Sequence, residues 1–188
     1  MTGFPNDAGK VLTGLARASI TRSLSMSFNA TNPNGAWLDS PGAAFVTLTQ
    51  DDRLRGCIGS LVAHRALRDD VIANARAAAF DDPRFMPLQA DELAHTRIEV
   101  SVLSVPAPMS FSSRADALAK LRPGIDGVIL SAARRRATFL PQVWDELPEP
   151  ASFIAHLFRK AGLPPDYWGA DVTIDRYTVT AFLEDNPV

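Results

Sequence analysis

A chain of 188 residues, 46% of them hydrophobic, has the size of one domain or one domain with a small satellite, and it can bury a real core. Its formal charge of −2 argues against a broad basic surface for duplex nucleic acid while leaving room for a local basic patch, and the absence of any run of about 18 apolar residues excludes a membrane-spanning helix. The single cysteine, Cys57, rules out an internal disulfide, so a reducing cytoplasm is the expected setting.

Residues 1–10 have no basic stretch followed by an apolar one, so no signal peptide is expected. Asn6 or Asp7 can cap a helix that runs to about Leu24, with Val11, Leu12, Leu15 and Ala18 as its apolar stripe. Residues 25–42 are rich in Ser, Asn, Gly and Pro and read as loop, with Trp37 expected to plug the core. Residues 45–49 alternate as a strand, 50–53 turn, and a second strand carries Cys57, which makes a hairpin with a polar tip. A helix follows from about Arg65 to Phe80, with Leu67, Val71, Ala75 and Ala78 on one face and Asp69 and Asp70 at its positive end. Pro83 forces a sharp corner over residues 81–85. A short helical turn near 91–94 leads into a strand over 97–105, with Ile98, Val100 and Val102 inward and Arg97, Glu99 and Ser101 facing the other way.

Ser113 and Asp116 read as a capping box with Asp in place of the usual Glu, opening a short helix that ends before Pro123-Gly124. Residues 127–130 and 137–140 read as a hairpin whose tip holds Arg134, Arg135 and Arg136, a charged tip that blocks edge pairing. Pro141 starts a further helical stretch to about Glu146. Residues 151–161 form the next helix, with Phe153, Leu157 and Phe158 buried and Gly162 as its C-terminal cap. The last strand is expected over 172–182. Strands and helices mix without βαβ alternation, so the expected class is α+β with a largely antiparallel sheet, a single domain over 1–188 with a small lobe around 85–125.

The stretch richest in chemistry is 51–60, Asp-Asp-Arg-Leu-Arg-Gly-Cys-Ile-Gly-Ser. Read as a strand, it puts Leu54, Gly56 and Ile58 on a core face and Arg55, Cys57 and Gly59 on the other. Cys57 can be a thiolate nucleophile favoured by Arg55 and Arg84, or a small apolar filler between two glycines. Arg55, Arg84 and the backbone at Gly56 and Gly59 can hold a carboxylate or phosphate; alternatively Arg84 pairs with Asp81 or Asp82, and Arg55 is a solvated strand residue. Glu99 is the best carboxylate for acid–base work beside Cys57, unless it pairs with Arg97 or a cross-strand cation. Gly56 and Gly59 are too close for a dinucleotide or P-loop fingerprint. The three histidines, His64, His95 and His156, lack metal-ligand spacing, and no HExxH or CxxC occurs, so no metal is expected; no cofactor can be named.

Several blocks together resemble the AMMECR domain family, whose bacterial category is AmmeMemoRadiSam system protein A. They are Leu54-Arg55-Gly56-Cys57-Ile58-Gly59-Ser60, Ala78-Ala79-Phe80-Asp81-Asp82-Pro83-Arg84-Phe85 and Ile98-Glu99-Val100-Ser101-Val102-Leu103-Ser104. Gly127-Val128-Ile129-Leu130, Ala137-Thr138-Phe139-Leu140-Pro141-Gln142-Val143-Trp144 and Arg159-Lys160-Ala161-Gly162-Leu163 follow in the family's order. The resemblance implies a main sheet with flanking helices and a smaller subdomain, with the Leu54–Gly59 signature lining a cleft. It also implies association with a Memo-type protein and a radical-SAM protein. It names no reaction, so two classes stand: a cysteine-dependent enzyme or enzyme subunit acting on a small molecule or modified residue, and a non-catalytic module binding a ligand or partner. RNA binding through the arginine tip is a third, weaker reading.

Overall fold

A computed structural model describes residues 3–26 and 33–185. The middle of the loop expected over 25–42 lies outside the described residues. The chain is α+β, with two antiparallel sheets in two compact units, Met1–Leu103 with Thr180–Val188, and Ser104–Val179.

The first unit begins with helix α1 (Ala8–Ser23) and a single helical turn, α2 (Ala36–Asp39). The buried stripe of α1 is Leu12, Ala16 and Ile20; Val11 and Leu15 pack at its margin. In the α2 turn the fully buried residue is Leu38, whereas Trp37 is only partly buried and meets Phe4 edge-on at 5.8 Å between ring centres. Next come strands β1 (Pro41–Gln50), β2 (Arg53–Gly59) and β3 (Arg65–Ala66), then helix α3 (Leu67–Phe80) and strand β4 (Arg97–Leu103). The strand order is β2-β1-β4, completed by the last strand of the chain, with β3 pairing the start of β1. Alternation decides the faces: Val46, Leu48, Ile98, Val100 and Val102 point to α1 and α3 and form the core with Val71, Ala75 and Ala78. The β1–β2 turn is two residues long, Asp51 and Asp52, both left-handed with φ of 49° and 58°. That twist suits a hairpin, and the short polar side chain of Asp tolerates it.

Asp69 and Asp70 stand in the first turn of α3, as expected. Asp70 is in addition fully buried, and accepts hydrogen bonds from the Ala44 amide (2.8 Å), the Ser60 hydroxyl (2.7 Å), Arg65 Nε (2.8 Å) and Asn74 Nδ2 (3.0 Å). A buried carboxylate needs this many donors to offset its lost hydration. It ties α3 to β1 and to the end of β2.

The second unit contains strand β5 (Ala107–Pro108), helix α4 (Arg114–Lys120), strands β6 (Gly127–Ala132) and β7 (Arg135–Phe139), helix α5 (Pro150–Lys160) and strand β8 (Thr173–Tyr177), in sheet order β5-β8-β6-β7. Ser113 Oγ accepts the Asp116 amide at 3.1 Å, while the Asp116 carboxylate reaches back to the Ser112 amide at 2.9 Å, one residue earlier than in a standard capping box. The stretch after Pro141 is a 3-10 turn (Pro141–Asp145). Its Trp144 stacks on Phe153 of α5 with centres 3.7 Å apart, and its Nε1 donates to the Asp126 carbonyl at 2.7 Å. Gly162, at φ +72°, ends α5 as expected. The expected single strand over 172–182 is two strands, β8 and β9 (Val179–Leu183), serving different sheets. The break falls at Thr178, whose amide and carbonyl are both taken by Ser104 (2.9 and 2.8 Å) and so are lost to a continuous ladder.

Candidate functional site

Pairing register decides what stands beside Cys57. Thr47 of β1 lies opposite Cys57 of β2 on one side and opposite Glu99 of β4 on the other. Directly opposed residues share a face, so Cys57, Thr47 and Glu99 form a row across three strands, on the side away from α1 and α3. The Thr47 hydroxyl donates to the Cys57 sulfur at 3.3 Å, and Cys57 is half-buried. Glu99 does not pair with Arg97. Its Oε1 accepts the Ser101 hydroxyl at 3.0 Å, and Arg97 makes no side-chain hydrogen bond or ion pair among the described residues.

Cys57 sits on an edge strand, where backbone groups have no neighbouring strand to bond. The corner after α3 supplies the missing partner. Asp82 Oδ2 accepts the Cys57 amide at 2.9 Å, and Arg84 Nη2 donates to the Cys57 carbonyl at 3.2 Å. Arg84 is in turn held by Asp82, with Nη2 to Oδ2 at 2.7 Å and Nε to Oδ1 at 2.9 Å. The Asp82 carboxylate, 2% exposed, is kept far below the ordinary carboxylate range by the Arg84 guanidinium, with the Cys57 and Arg84 amides adding to the effect against the cost of burial. Arg84 is correspondingly raised, first by Asp82.

Arg55 is drawn elsewhere. A bulge falls between Leu48 and Thr49, so that Gly56 pairs with Leu48 and Leu54 with Thr49, leaving Arg55 as the extra residue. Its Nε and Nη2 form a two-pronged bridge to Glu92 at 2.9 and 3.0 Å. Those bonds, chiefly, bring the Glu92 carboxyl from an ordinary 4.5 down to about 2. The Phe85 ring lies near both guanidinium groups, 6.0 Å from Arg55 and 5.5 Å from Arg84. The bulge also corrects the expectation for Leu54: it falls on the Thr47–Thr49 face and is 43% exposed rather than core.

Both signature glycines have packing reasons. A Cβ on Gly56 would lie 2.1 Å from the Ala78 carbonyl oxygen of α3, and one on Gly59 would lie 2.2 Å from the Phe45 ring. Gly56 therefore faces the core, and Gly59 the Cys57 side. His64 lies in the exposed loop after β2, with Nδ1 2.9 Å from the Val62 carbonyl. No group of three or more potential metal ligands occurs among the described residues. An open hollow of about 450 Å³ lies elsewhere, lined by Ser23, Ala73, Arg76, Phe80 and Asp81 on the helical side of the first unit.

Of the residues that shape this site, Asp82 was named from the sequence as one of two possible partners for Arg84, and it is the partner, whereas Thr47 and Glu92 were not singled out. Thr47 and Thr49 alternate with apolar residues in β1, which was a visible signal. Glu92 carried none, because only the bulge directs Arg55 toward it.

No helix among the described residues is long and apolar enough to cross a membrane. A family model described as AMMECR1 matches residues 13–182. Protein LS215_2104 of Saccharolobus islandicus (strain L.S.2.15 / Lassen #1) is 38% identical over 194 residues, covering 97% of this chain and 84% of that protein. A protein of Methanothermobacter thermautotrophicus is 37% identical over 187 residues, covering 95% of each. The crystal structure of uncharacterized protein PH0010 from Pyrococcus horikoshii superposes with a TM-score of 0.81 at 31% identity, covering 98% of this chain and 95% of that one. Matched along nearly its whole length in sequence and in fold, the chain belongs to the AMMECR1 family.

Proposed function

We propose that this chain is a cysteine-dependent enzyme, or a subunit of one, acting on a small molecule or a modified residue together with a Memo-type and a radical-SAM protein. The observation that supports it best is the Cys57–Thr47–Glu99 row: a half-buried cysteine whose sulfur receives a hydroxyl hydrogen bond and which shares its face with a carboxylate. In this proposal Cys57 attacks an electrophilic carbon, and Glu99 orients the reacting group or exchanges its proton. The Asp82–Arg84 pair fixes the backbone of Cys57, so the sulfur is held in one place without its own strand partner. Arg84, with 53% of its side chain exposed, retains a surface for a ligand's anionic group, and Arg55 supports it across Phe85.

The test is iodoacetamide labelling of Cys57 read by mass spectrometry, before and after denaturation. Rapid labelling of the native protein at neutral pH is expected. Labelling confined to the denatured chain sinks the nucleophile.

A second reading, a non-catalytic ligand- or partner-binding module, draws on the commitment of Arg55 to Glu92 and of Arg84 to Asp82. Those bridges suit a rigid recognition surface as well as a reaction site. Capture of the Memo-type and radical-SAM proteins on immobilised Cys57→Ser protein, lost with Arg55→Ala, is the outcome expected of a module. No capture in either redox state removes the partner part of both readings.

A further inference from the structure

Arg55 and Arg84 are each held by a carboxylate, but Arg97 is not. Arg97 pairs with Thr49 in the β1–β4 register, one step along from the Thr47–Glu99 pair, so it shares the face of Cys57 and Glu99. It is half-buried, its Nε is sealed from solvent without a partner, and its guanidinium makes no ion pair among the described residues. Among the described residues, Arg55 Nη1 is the other buried side-chain nitrogen or oxygen left so, but the rest of that guanidinium is held by Glu92. A guanidinium nitrogen sealed from water is seldom left without a partner, because its lost hydration is not returned. A group of this kind calls for an explanation outside the chain.

We infer that Arg97 anchors the anionic end of the ligand bound on this face, and that this ligand is a carboxylate; in its catalytic sense the inference rests on Cys57 being the nucleophile. The planar fork of Arg97 suits a carboxylate. Glu99 stands two residues along, about 7 Å at strand spacing, and its negative charge disfavours a dianionic phosphate there. Cys57 lies two strands away from β4, about 10 Å across, and Arg97 is a further two residues along, about 12 Å in all on the diagonal, so several bonds separate the ligand's carboxylate from the carbon that meets the sulfur.

The experiment compares maleimidopropionate with N-ethylmaleimide. In each, the sulfur adds to the ring double bond and the neighbouring carbon takes a proton from solvent, so the reagents differ in the distant carboxylate. Rates on Cys57 are divided by those on N-acetylcysteine. The native protein is expected to favour maleimidopropionate about fivefold, the size of one modest charge contact. Arg97→Gln should abolish the preference and Arg97→Lys should keep most of it. A preference unchanged in Arg97→Gln overturns the inference. A parallel arm needs no thiol: in ¹⁵N-labelled Cys57→Ser protein, propionate should shift the Arg97 Nε–H resonance saturably and more strongly than inorganic phosphate. No shift, or a stronger response to phosphate, overturns the carboxylate anchor. If Cys57 resists both maleimides while propionate shifts Arg97, the nucleophile falls and the anchor stands.

Discussion

The Cys57 amide donates to the Asp82 carboxylate at 2.9 Å across 25 residues of sequence, and the guanidinium that neutralises that carboxylate binds the Cys57 carbonyl. A side-chain ion pair thus does for an edge strand what a neighbouring strand would do.

Removing this clamp should be costly. Asp82→Ala leaves the Cys57 amide without its acceptor and Arg84 without its counter-ion, and is expected to lower stability by about 2–3 kcal/mol, read from the urea midpoint at constant slope. Arg84→Ala removes the counter-ion of a carboxylate that is only 2% exposed, so it is expected to cost about as much, about 2–3 kcal/mol, although the Arg84 side chain itself is half in water. A loss within about 0.5 kcal/mol of zero for either variant would contradict the assigned roles.

The signature glycines should differ in tolerance. At Gly56 a methyl meets backbone, the Ala78 carbonyl, which cannot move without displacing α3. At Gly59 it meets the half-buried Phe45 ring, which can swing. Gly56→Ala is therefore expected to cost more than about 3 kcal/mol or to prevent folding, and Gly59→Ala about 1–2 kcal/mol. Thermal melts of the two purified variants give the order directly.

Thr47→Val keeps the shape of the side chain and removes the hydroxyl that donates to the sulfur. A lost hydrogen bond to a charged acceptor is worth about 1.5 kcal/mol, so iodoacetamide labelling of Cys57 at neutral pH should slow about tenfold. Thr47→Ser should label within about threefold of the native rate. A Val variant that labels as fast as the native protein would remove Thr47 from the site.

Acid should unfasten the corner. The Glu92 carboxyl titrates at about 2 in the folded chain against an ordinary 4.5, and Asp82 is depressed in the same direction. For a depressed carboxyl the unfolded chain binds more protons, so its contribution to stability is complete above about 4.5 and drains away as pH falls toward 2. Glu92→Gln should flatten the fall in stability over that window and lower the plateau above it. Denaturant titrations from pH 6 to pH 2.5 on both proteins would show it; parallel curves would rule Glu92 out.

The sequence by itself determined the class and most elements of this protein. Period-two alternation in β1 and β4 and helical spacing in α3 are local signals, strong enough to name the faces of those elements before any pairing is known. The two-aspartate turn and the Gly162 cap were equally local. The block from Leu54 to Ser60, with the others in order, was enough to indicate the family. Only the tertiary structure decided what stands near Cys57. Register, a property of two strands at once, put Thr47 between the sulfur and Glu99. One bulge sent Arg55 to Glu92 and Leu54 to the surface, because an extra residue reverses the faces on one side of it. Pairing of charges did the rest. Asp82 took Arg84, and Glu92 took two nitrogens of Arg55, leaving Arg97 without a hydrogen bond or ion pair among the described residues, an outcome that depends on which side chains meet in space.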